Sequence, residues 1–318
     1  MVRALMVAVL ALYTALALAQ PYPARPVRIV VPSSPGGASD LVARLVAPAL
    51  AEALGQPFIV ENRVTSGGII GTQQVAESPP DGHTLLVTFD TFASNNLLFK
   101  NLKWDPQRDF APVMQLCRYP QLLLVHPGVG VNTLQQFVAL AKQRGAQLNY
   151  GSAGPASSSR LAYELFKDVA GIETEPVHYK GGGPAIQDLL SGQVQVMLIQ
   201  GGGSIQQHVR TGKLVALAQS SLKPSKFYPD VPTIAQTYPG FETESWVAMF
   251  APAATPKGVI NAVHATLAKA LGDAAVRERF ESQGCDVVAG TPAELAGVVR
   301  ADQEKWARIV RKKNISIE

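Results

Sequence analysis

Residues 27–50 read VRIVVPSSPGGASDLVARLVAPAL, and this stretch carries the fold in miniature. Val27 to Val31 is a short apolar strand, ended by Pro32-Ser33-Ser34-Pro35-Gly36-Gly37. Leu41, Val42, Leu45, Val46, Ala49 and Leu50 then recur at helical spacing, which predicts an amphipathic helix. Ser39 or Asp40 is placed to cap it, and Asp40 and Arg44, four residues apart, can pair along its face. Gly55 ends the helix, and Phe58-Ile59-Val60 begins the next strand.

The same unit recurs along the chain. Strand 58–61 runs into Thr65-Ser66-Gly67-Gly68 and a short helix with Ile69, Ile70 and Val75; strand 84–88 runs into Phe89-Asp90-Thr91. Strand 147–150 leads through Gly151-Ser152-Ala153-Gly154-Pro155-Ala156-Ser157-Ser158 into a helix with Leu161, Ala162, Leu165 and Phe166. Strand 176–179 leads through Lys180-Gly181-Gly182-Gly183-Pro184 into another, and strand 194–199 into Gly201-Gly202-Gly203-Ser204. A strand at 213–218 precedes a proline-rich connector, 224–239, and an apolar stretch from Trp246 to Phe250. The remainder predicts helices over 257–271, 273–283 and 292–312, with a strand near 286–288. Strands alternating with helices predict α/β sheets rich in parallel strands.

The N-terminus carries a different signal. Arg3, an apolar run from Ala4 to Leu16 and Ala17-Leu18-Ala19 have the pattern of a cleavable export peptide, residues 1–19. That run falls short of the about 20 apolar residues a membrane span needs. Cleavage would leave roughly 300 residues, a length that favours two lobes over one core. Charged residues make up only 16%, and the single basic cluster, Arg311-Lys312-Lys313, reads as a solvated helix end, so no nucleic-acid partner is expected. Export would permit a bridge between Cys117 and Cys285, the two cysteines. Nothing in the sequence shows that they meet, and two separate buried thiols is the plainer expectation.

The loops that follow the strands suggest the chemistry. Backbone N–H groups in a helix's first turn have no internal partner, and the helix dipole there favours negative charge. Glycine lets a ligand approach that backbone closely. Several such loops at one edge of a sheet would make a cleft suited to a carboxylate. Enzyme signatures fail. Gly201 and Gly203 are followed by Gln206 where a dinucleotide fingerprint needs a third glycine, and Gly212-Lys213 has Gln207 where a phosphate loop needs its first. The five histidines show no metal-ligand spacing, and Ser220-Ser221-Leu222-Lys223 is a four-letter match of the kind that arises by chance. No catalytic residue, cofactor or metal is expected.

A family resemblance agrees with this reading. Pro26-Val27-Arg28-Ile29-Val30-Val31-Pro32, Pro35-Gly36-Gly37-Ala38-Ser39-Asp40, Val60-Glu61-Asn62-Arg63 and Pro80-Asp81-Gly82-His83-Thr84-Leu85-Leu86 occur in order. So do Asp109-Phe110-Ala111-Pro112-Val113, Leu148-Asn149-Tyr150-Gly151-Ser152, Tyr179-Lys180-Gly181 and Pro229-Asp230-Val231-Pro232-Thr233. The chain resembles the substrate-binding proteins of tripartite tricarboxylate transporters, the Bordetella uptake gene receptors. That resemblance implies a monomeric periplasmic receptor with the type II-like two-lobed α/β fold, a mixed sheet in each lobe and crossing hinge strands. Lobe one would be 20–120 plus 245–318, and lobe two 121–244. A small carboxylate would be gripped, partly through water, by Ser33 to Asp40 (Ser33, Ser34, Gly36, Gly37, Ala38, Ser39, Asp40), by Ser66, Gly67 and Gly68, by Gly151 to Ser158 (Gly151, Ser152, Gly154, Ser157, Ser158) and by Tyr179, Lys180 and Gly181. Asp90, after its own strand, is grouped with them, and integral-membrane transporter subunits are the implied partners.

Of these, Asp40 reads first as a cap and a partner of Arg44, Lys180 as exposed, and Tyr179 as either core or contact. Trp246 leans towards core. Departures from the family pattern bear on specificity: Arg160 stands where the family commonly has histidine, and Gln200 and Gln195 where acids are common. Losing those acids removes partners for a ligand amino group, and Arg160 could grip a second carboxylate with two parallel bonds. The favoured ligand is therefore a dicarboxylate or an aromatic acid, with Arg160 pointing idly to solvent as the bland alternative. A sensor subunit is one competing reading, and an exported two-lobed hydrolase or isomerase a weaker one.

Overall fold

The computed structural model describes residues 22–64 and 68–317. The export segment, 1–19, and the predicted contacts Ser66 and Gly67 lie outside the described residues. In chain order the elements begin with β1 (Val27–Val31), α1 (Ala38–Leu54), β2 (Phe58–Asn62), α2 (Ile69–Ala76), β3 (Thr84–Phe89), a short 3₁₀ turn at Asp90–Ala93, α3 (Asn95–Leu98) and β4 (Phe110–Val125). There follow α4 (Leu134–Arg144), β5 (Asn149–Ser152), α5 (Ser158–Ala170), β6 (Glu175–His178), α6 (Gly182–Leu190), β7 (Val196–Gln200), α7 (Ser204–Arg210) and β8 (Val215–Gln219). The chain closes with β9 (Glu244–Pro252), α8 (Lys257–Gly272), α9 (Ala274–Ser282), β10 (Asp286–Val287) and α10 (Pro292–Lys312).

β1 lies between β2 and β3, parallel to both. Helices cover both faces of such a strand, which explains why Ile29, Val30 and Val31 are all fully buried and why the segment reads as an unbroken apolar run. Arg28 is the exception, and its guanidinium holds Glu61 on β2 through bonds of 3.0 and 2.9 Å. The stripe predicted on α1 packs as expected in part. Val42, Val46 and Leu50 are buried with Ile260, Val263 and Leu267 of α8, whereas Leu41 is exposed. Each such side chain contributes about 1.5–3 kcal/mol on leaving water.

The strand order β2-β1-β3-β9-β4-β7-β5-β6 runs through both lobes, and β4 is the element they share. From Phe110 to Pro120 it pairs antiparallel with β9; from Gln121 to Val125 it pairs with β7, and with β8 from Leu122. The change of partners falls at Pro120. Proline has no N–H to give a ladder, which suits it to such a break. One lobe has the core of Val27, Leu85, Val113 and Met249, and the other that of Leu123, Phe137, Tyr150 and Phe166. α10 straddles them: Leu295 and Val299 join the first lobe's core, and Trp306 and Ile309 the second's.

The hinge is cross-linked by a buried polar net. Gln121 Nε2 donates to Ser245 Oγ (3.1 Å), Thr243 Oγ1 donates to Gln121 Oε1 (2.7 Å), and Gln121 N–H donates to Ser220 Oγ (3.1 Å). A satisfied network of this kind rigidifies what it joins, because each group left unpaired in a dry interior is costly.

Two expectations are corrected here. Cys117 and Cys285 are not separate thiols; they form a disulfide across 168 residues that fixes β10 onto β4 beside the hinge. The 168-residue gap hid a pairing that only the antiparallel register Val287↔Cys117 makes evident. Neither Ser39 nor Asp40 caps α1: the N-cap is Gly37, with no side-chain cap bond. Four elements, α3, β4, α4 and α7, have no counterpart in the sequence reading. β4 is interrupted by Pro112, Arg118 and Pro120, and α4 alternates Gln, Lys and Arg with a thin apolar stripe of Leu134, Phe137, Val138 and Ala141. Among the described residues no helix is long and apolar enough to cross a membrane.

Candidate functional site

The predicted contacts gather at the carboxyl ends of β1 and β3 in one lobe and of β5 and β6 in the other. The first loop is held by Asp40. Its buried carboxylate accepts from Gly36 N–H (2.9 Å), Arg44 Nε (3.0 Å) and Asn62 Nδ2 (2.9 Å), and Asn62 Nδ2 also reaches the Ser33 carbonyl (3.0 Å). Burial alone would raise the Asp40 pKa, but the bonds from Arg44, Gly36 and Asn62 outweigh it and hold the carboxyl below its usual range. Gly36 has φ +80, a left-handed turn that glycine adopts without strain. Gly37 N–H is spent on the Ser34 carbonyl (3.1 Å), and Ser33 and Ser39 share a 2.7 Å hydroxyl bond. What the loop offers a ligand is the first-turn N–H groups of Ala38, Ser39 and Asp40, which a helix cannot satisfy internally.

The second lobe builds its loop from serines. Ser157 caps α5, accepting from Arg160 N–H (3.3 Å), and its hydroxyl donates to the Gly154 carbonyl (2.6 Å). Ser159 Oγ accepts from Ala153 N–H (2.9 Å). Ser152 Oγ lies 2.7 Å from His178 Nδ1 and 3.2 Å from the Gly154 carbonyl. Gly151 lies within β5, and a Cβ there would press on Met197 and Val194 at 3.1 Å, so its smallness serves strand packing. Gly181, at φ +116, starts α6 and gives its N–H to the Ala153 carbonyl (2.9 Å).

Tyr179 commits its hydroxyl to Asp188 (2.7 Å), and Lys180 is exposed. Gln200 ends β7 at the hinge, opposite Gln121. Gln195 sits just before β7, at the other end of that strand. Its amide accepts from Asn149 N–H (2.9 Å) and donates to the Gly192 carbonyl (3.0 Å), so it braces the sheet away from these loops. Arg160 neither waves in solvent nor reaches across: Nη1 donates to the Pro155 carbonyl of its own loop (2.8 Å), and its buried Nε has no partner.

Asp90 joins the two lobes. It is 4% exposed, and its carboxyl lies beside the hydroxyls of Ser245 on β9 and Ser158 at the start of α5. Trp246 is core, as expected, with its indole N–H on Asp302 (2.8 Å). Three residues with a place here had no role in the sequence reading: Ser159, Ser245 and His178. His178 is drawn into the site by Ser152, and burial followed by the nearby charge of Arg160 lowers its pKa, which keeps the ring neutral at neutral pH. Its position at the end of β6, directly before Tyr179, is the signal that could have singled it out.

This arrangement, glycine and serine loops at helix starts in each lobe with Asp90 meeting Ser158 between the lobes, fits a known family. Residues 42–315 fit the model of the tripartite tricarboxylate transporter family receptor. The chain belongs to that family. Among curated relatives, protein BugT of Bordetella pertussis is 35% identical over 92% of this chain and 91% of its own. A protein encoded in the tcbD-tcbE intergenic region of Pseudomonas sp. strain P51 is 34% identical, over 91% and 86%. Among solved structures, an R. palustris protein with adipate superposes at TM-score 0.83 with 31% identity, covering 93% of this receptor and 100% of that chain. MatC from Rhodopseudomonas palustris, with bound malate, gives 0.79 and 34%, covering 91% and 100%. The periplasmic binding protein BugD gives 0.80 and 32%, covering 93% and 100%. The two-lobed periplasmic-binding-protein fold expected from the sequence is the fold of this receptor, and these neighbours are binding proteins rather than enzymes.

Proposed function

We propose that the protein is a periplasmic receptor, exported through residues 1–19, that captures a small carboxylate between lobe one (20–120 with 245–318) and lobe two (121–244). It acts as a monomer and delivers the ligand to integral-membrane transporter subunits that read the closed shape. The end of α10 reaches across to brace the second lobe. The observation that carries this reading is Asp90 of the first lobe meeting Ser158, at the start of α5 in the second, with helix-start N–H groups at α1 and α5 in the flanking loops. Donors fixed in place before the ligand arrives cost little to organise, and bridging waters extend their reach to acids of different length. The adipate and malate held by structural neighbours support a dicarboxylate.

Arg160 is the residue placed to choose between one carboxylate and two. Its guanidinium is tied by a single bond to Pro155, and its buried Nε has no partner, which leaves a donor for a two-toothed grip on a carboxylate. Melting curves with a panel of organic acids test this. A ligand bound only by the folded protein adds about 2.7 kcal/mol at a hundred times its Kd, which reads as several degrees. Dicarboxylates are expected to raise the wild-type melting point, and the Arg160→Ala variant to lose most of that rise while keeping any response to monocarboxylates. An equal loss for both classes would remove Arg160 from the ligand reading. No response to any acid would contradict the receptor reading itself.

A further inference from the structure

Asp90 is an unusual neighbour for an anion site. Its side chain is almost fully buried, Oδ2 has no hydrogen-bond partner, and no basic side chain among the described residues forms an ion pair with it. An ionised carboxylate in that setting would repel an incoming anion and remain uncompensated in the empty protein. Four elements pack around it. From β9 come Ser245 and Trp246, neither of which titrates in the working range. From α10 comes Asp302, a second acid, already satisfied by Trp246 and by Lys305 at 2.8 Å. From α5 comes Ser158, with Arg160 two residues on and turned to Pro155. α3 contributes no titratable group. Burial pushes the Asp90 carboxyl up to about 7; the Ser245 hydroxyl pulls it back, the negative charge of Asp302 pushes it further, and Ser158 pulls back again.

We infer that Asp90 stands as a neutral carboxylic acid in the empty receptor and donates its proton to a ligand carboxylate seated against the start of α5, so that it selects acids over amines. This inference rests on the carboxylate reading of the seam. Its geometry is that of a buried carboxyl whose Oδ2 is unpaired, beside Ser158 at the start of a 13-residue helix whose first turn offers further N–H groups. A carboxylate there would receive the Asp90 proton from one lobe and the α5 amides from the other, which closes the lobes over it. Ionised, Asp90 would favour an ammonium group instead, so one side chain's protonation state decides the ligand class.

The test uses adipate and glutamate as probes, titrated calorimetrically into wild type and Asp90→Asn at pH 6 and pH 8.5, with melting curves of both ligand-free proteins over the same range. Adipate affinity for wild type is expected to fall about tenfold or more between the two pH values, because the donor is lost on ionisation. Asp90→Asn, which keeps a neutral donor, is expected to bind adipate with little pH dependence. Without ligand, the variant should gain in melting point over wild type as pH rises towards 7, and the difference should level off above it, because only between its unfolded and folded pKa values does the carboxyl hold a proton in the folded state alone. pH-independent adipate binding by wild type, or a preference for glutamate that Asp90→Asn abolishes, would overturn the inference. Failure of both acids to bind, with the ligand-free melting difference intact, would refute the carboxylate seam and with it the donor role, while leaving Asp90 a neutral buried acid. A flat melting difference would refute the neutral acid directly.

Discussion

Replacing Asp40 by alanine is expected to cost about 3 kcal/mol of stability and to weaken ligand binding at least about tenfold. The carboxylate is 2% exposed and holds Gly36 N–H, Arg44 and Asn62 at once. Its removal takes the acceptor from the Gly36 amide and one of the two acceptors from Asn62 Nδ2, which keeps the Ser33 carbonyl, and a hydrogen bond to a charged group contributes about 1.5–3 kcal/mol. Arg44 adds little to this sum, since half its side chain is already in water and solvent replaces the lost bond. Arg44→Ala should therefore cost under about 1 kcal/mol. Urea denaturation of both variants measures the difference, and equal losses would show that the ion pair, rather than the loop clamp, is what matters. The effect on binding follows from the same bonds: without the clamp, the Ser33–Gly37 turn no longer fixes the first turn of α1. The pH dependence has a definite sign. The Asp40 carboxyl is held below its usual value in the folded protein, so its contribution is complete above the ordinary carboxylate range and is lost as pH falls through the folded value.

Loss of the Cys117–Cys285 bridge is expected to lower stability by about 4 kcal/mol, the loop-closure effect of a tie spanning so much chain. For a protein of this size that corresponds to a fall of roughly 10 °C in melting point. Both cysteines are fully buried, so paired Cys117→Ala and Cys285→Ala substitutions are a cleaner probe than reductant. Scanning calorimetry reads the result, and a fall of under about 2 °C would show that the β10–β4 pairing stands without its bridge. Binding should suffer less than stability. The bridge lies among Arg118, Glu244 and Asp286 rather than among the glycine and serine loops.

Much of this was legible in the sequence because strand, turn and helix start are local. Val27–Val31 with the loop to Gly37 announced β1 and α1, and the final helix was read over the residues it occupies, 292–312. The hinge was implied by the family resemblance alone and was not legible in the residues themselves. β4 changes partners at Pro120, and in the net Gln121 bonds Ser220, Thr243 and Ser245 at separations of 99, 122 and 124 residues. The site was legible as a set of loops but not as a set of bonds. Which N–H groups are already spent, as those of Gly36, Gly37 and Gly181 are, depends on acceptors that only folding brings near. The same holds for Asp90, whose character comes from Ser158 and Asp302, residues remote in sequence. Cys117 and Cys285 make the point in reverse, since plausible residues without a register gave no reason to pair them.

Whether a small dicarboxylate binds between the lobes is read by calorimetric titration of the purified protein with adipate and malate near pH 6. Saturable binding of one molecule per chain is expected for at least one of these acids, lost or greatly weakened in Asp40→Ala. Heats no larger than dilution for both acids, at protein concentrations that would detect a Kd of about 100 μM, roughly 5.5 kcal/mol of binding free energy, would contradict it.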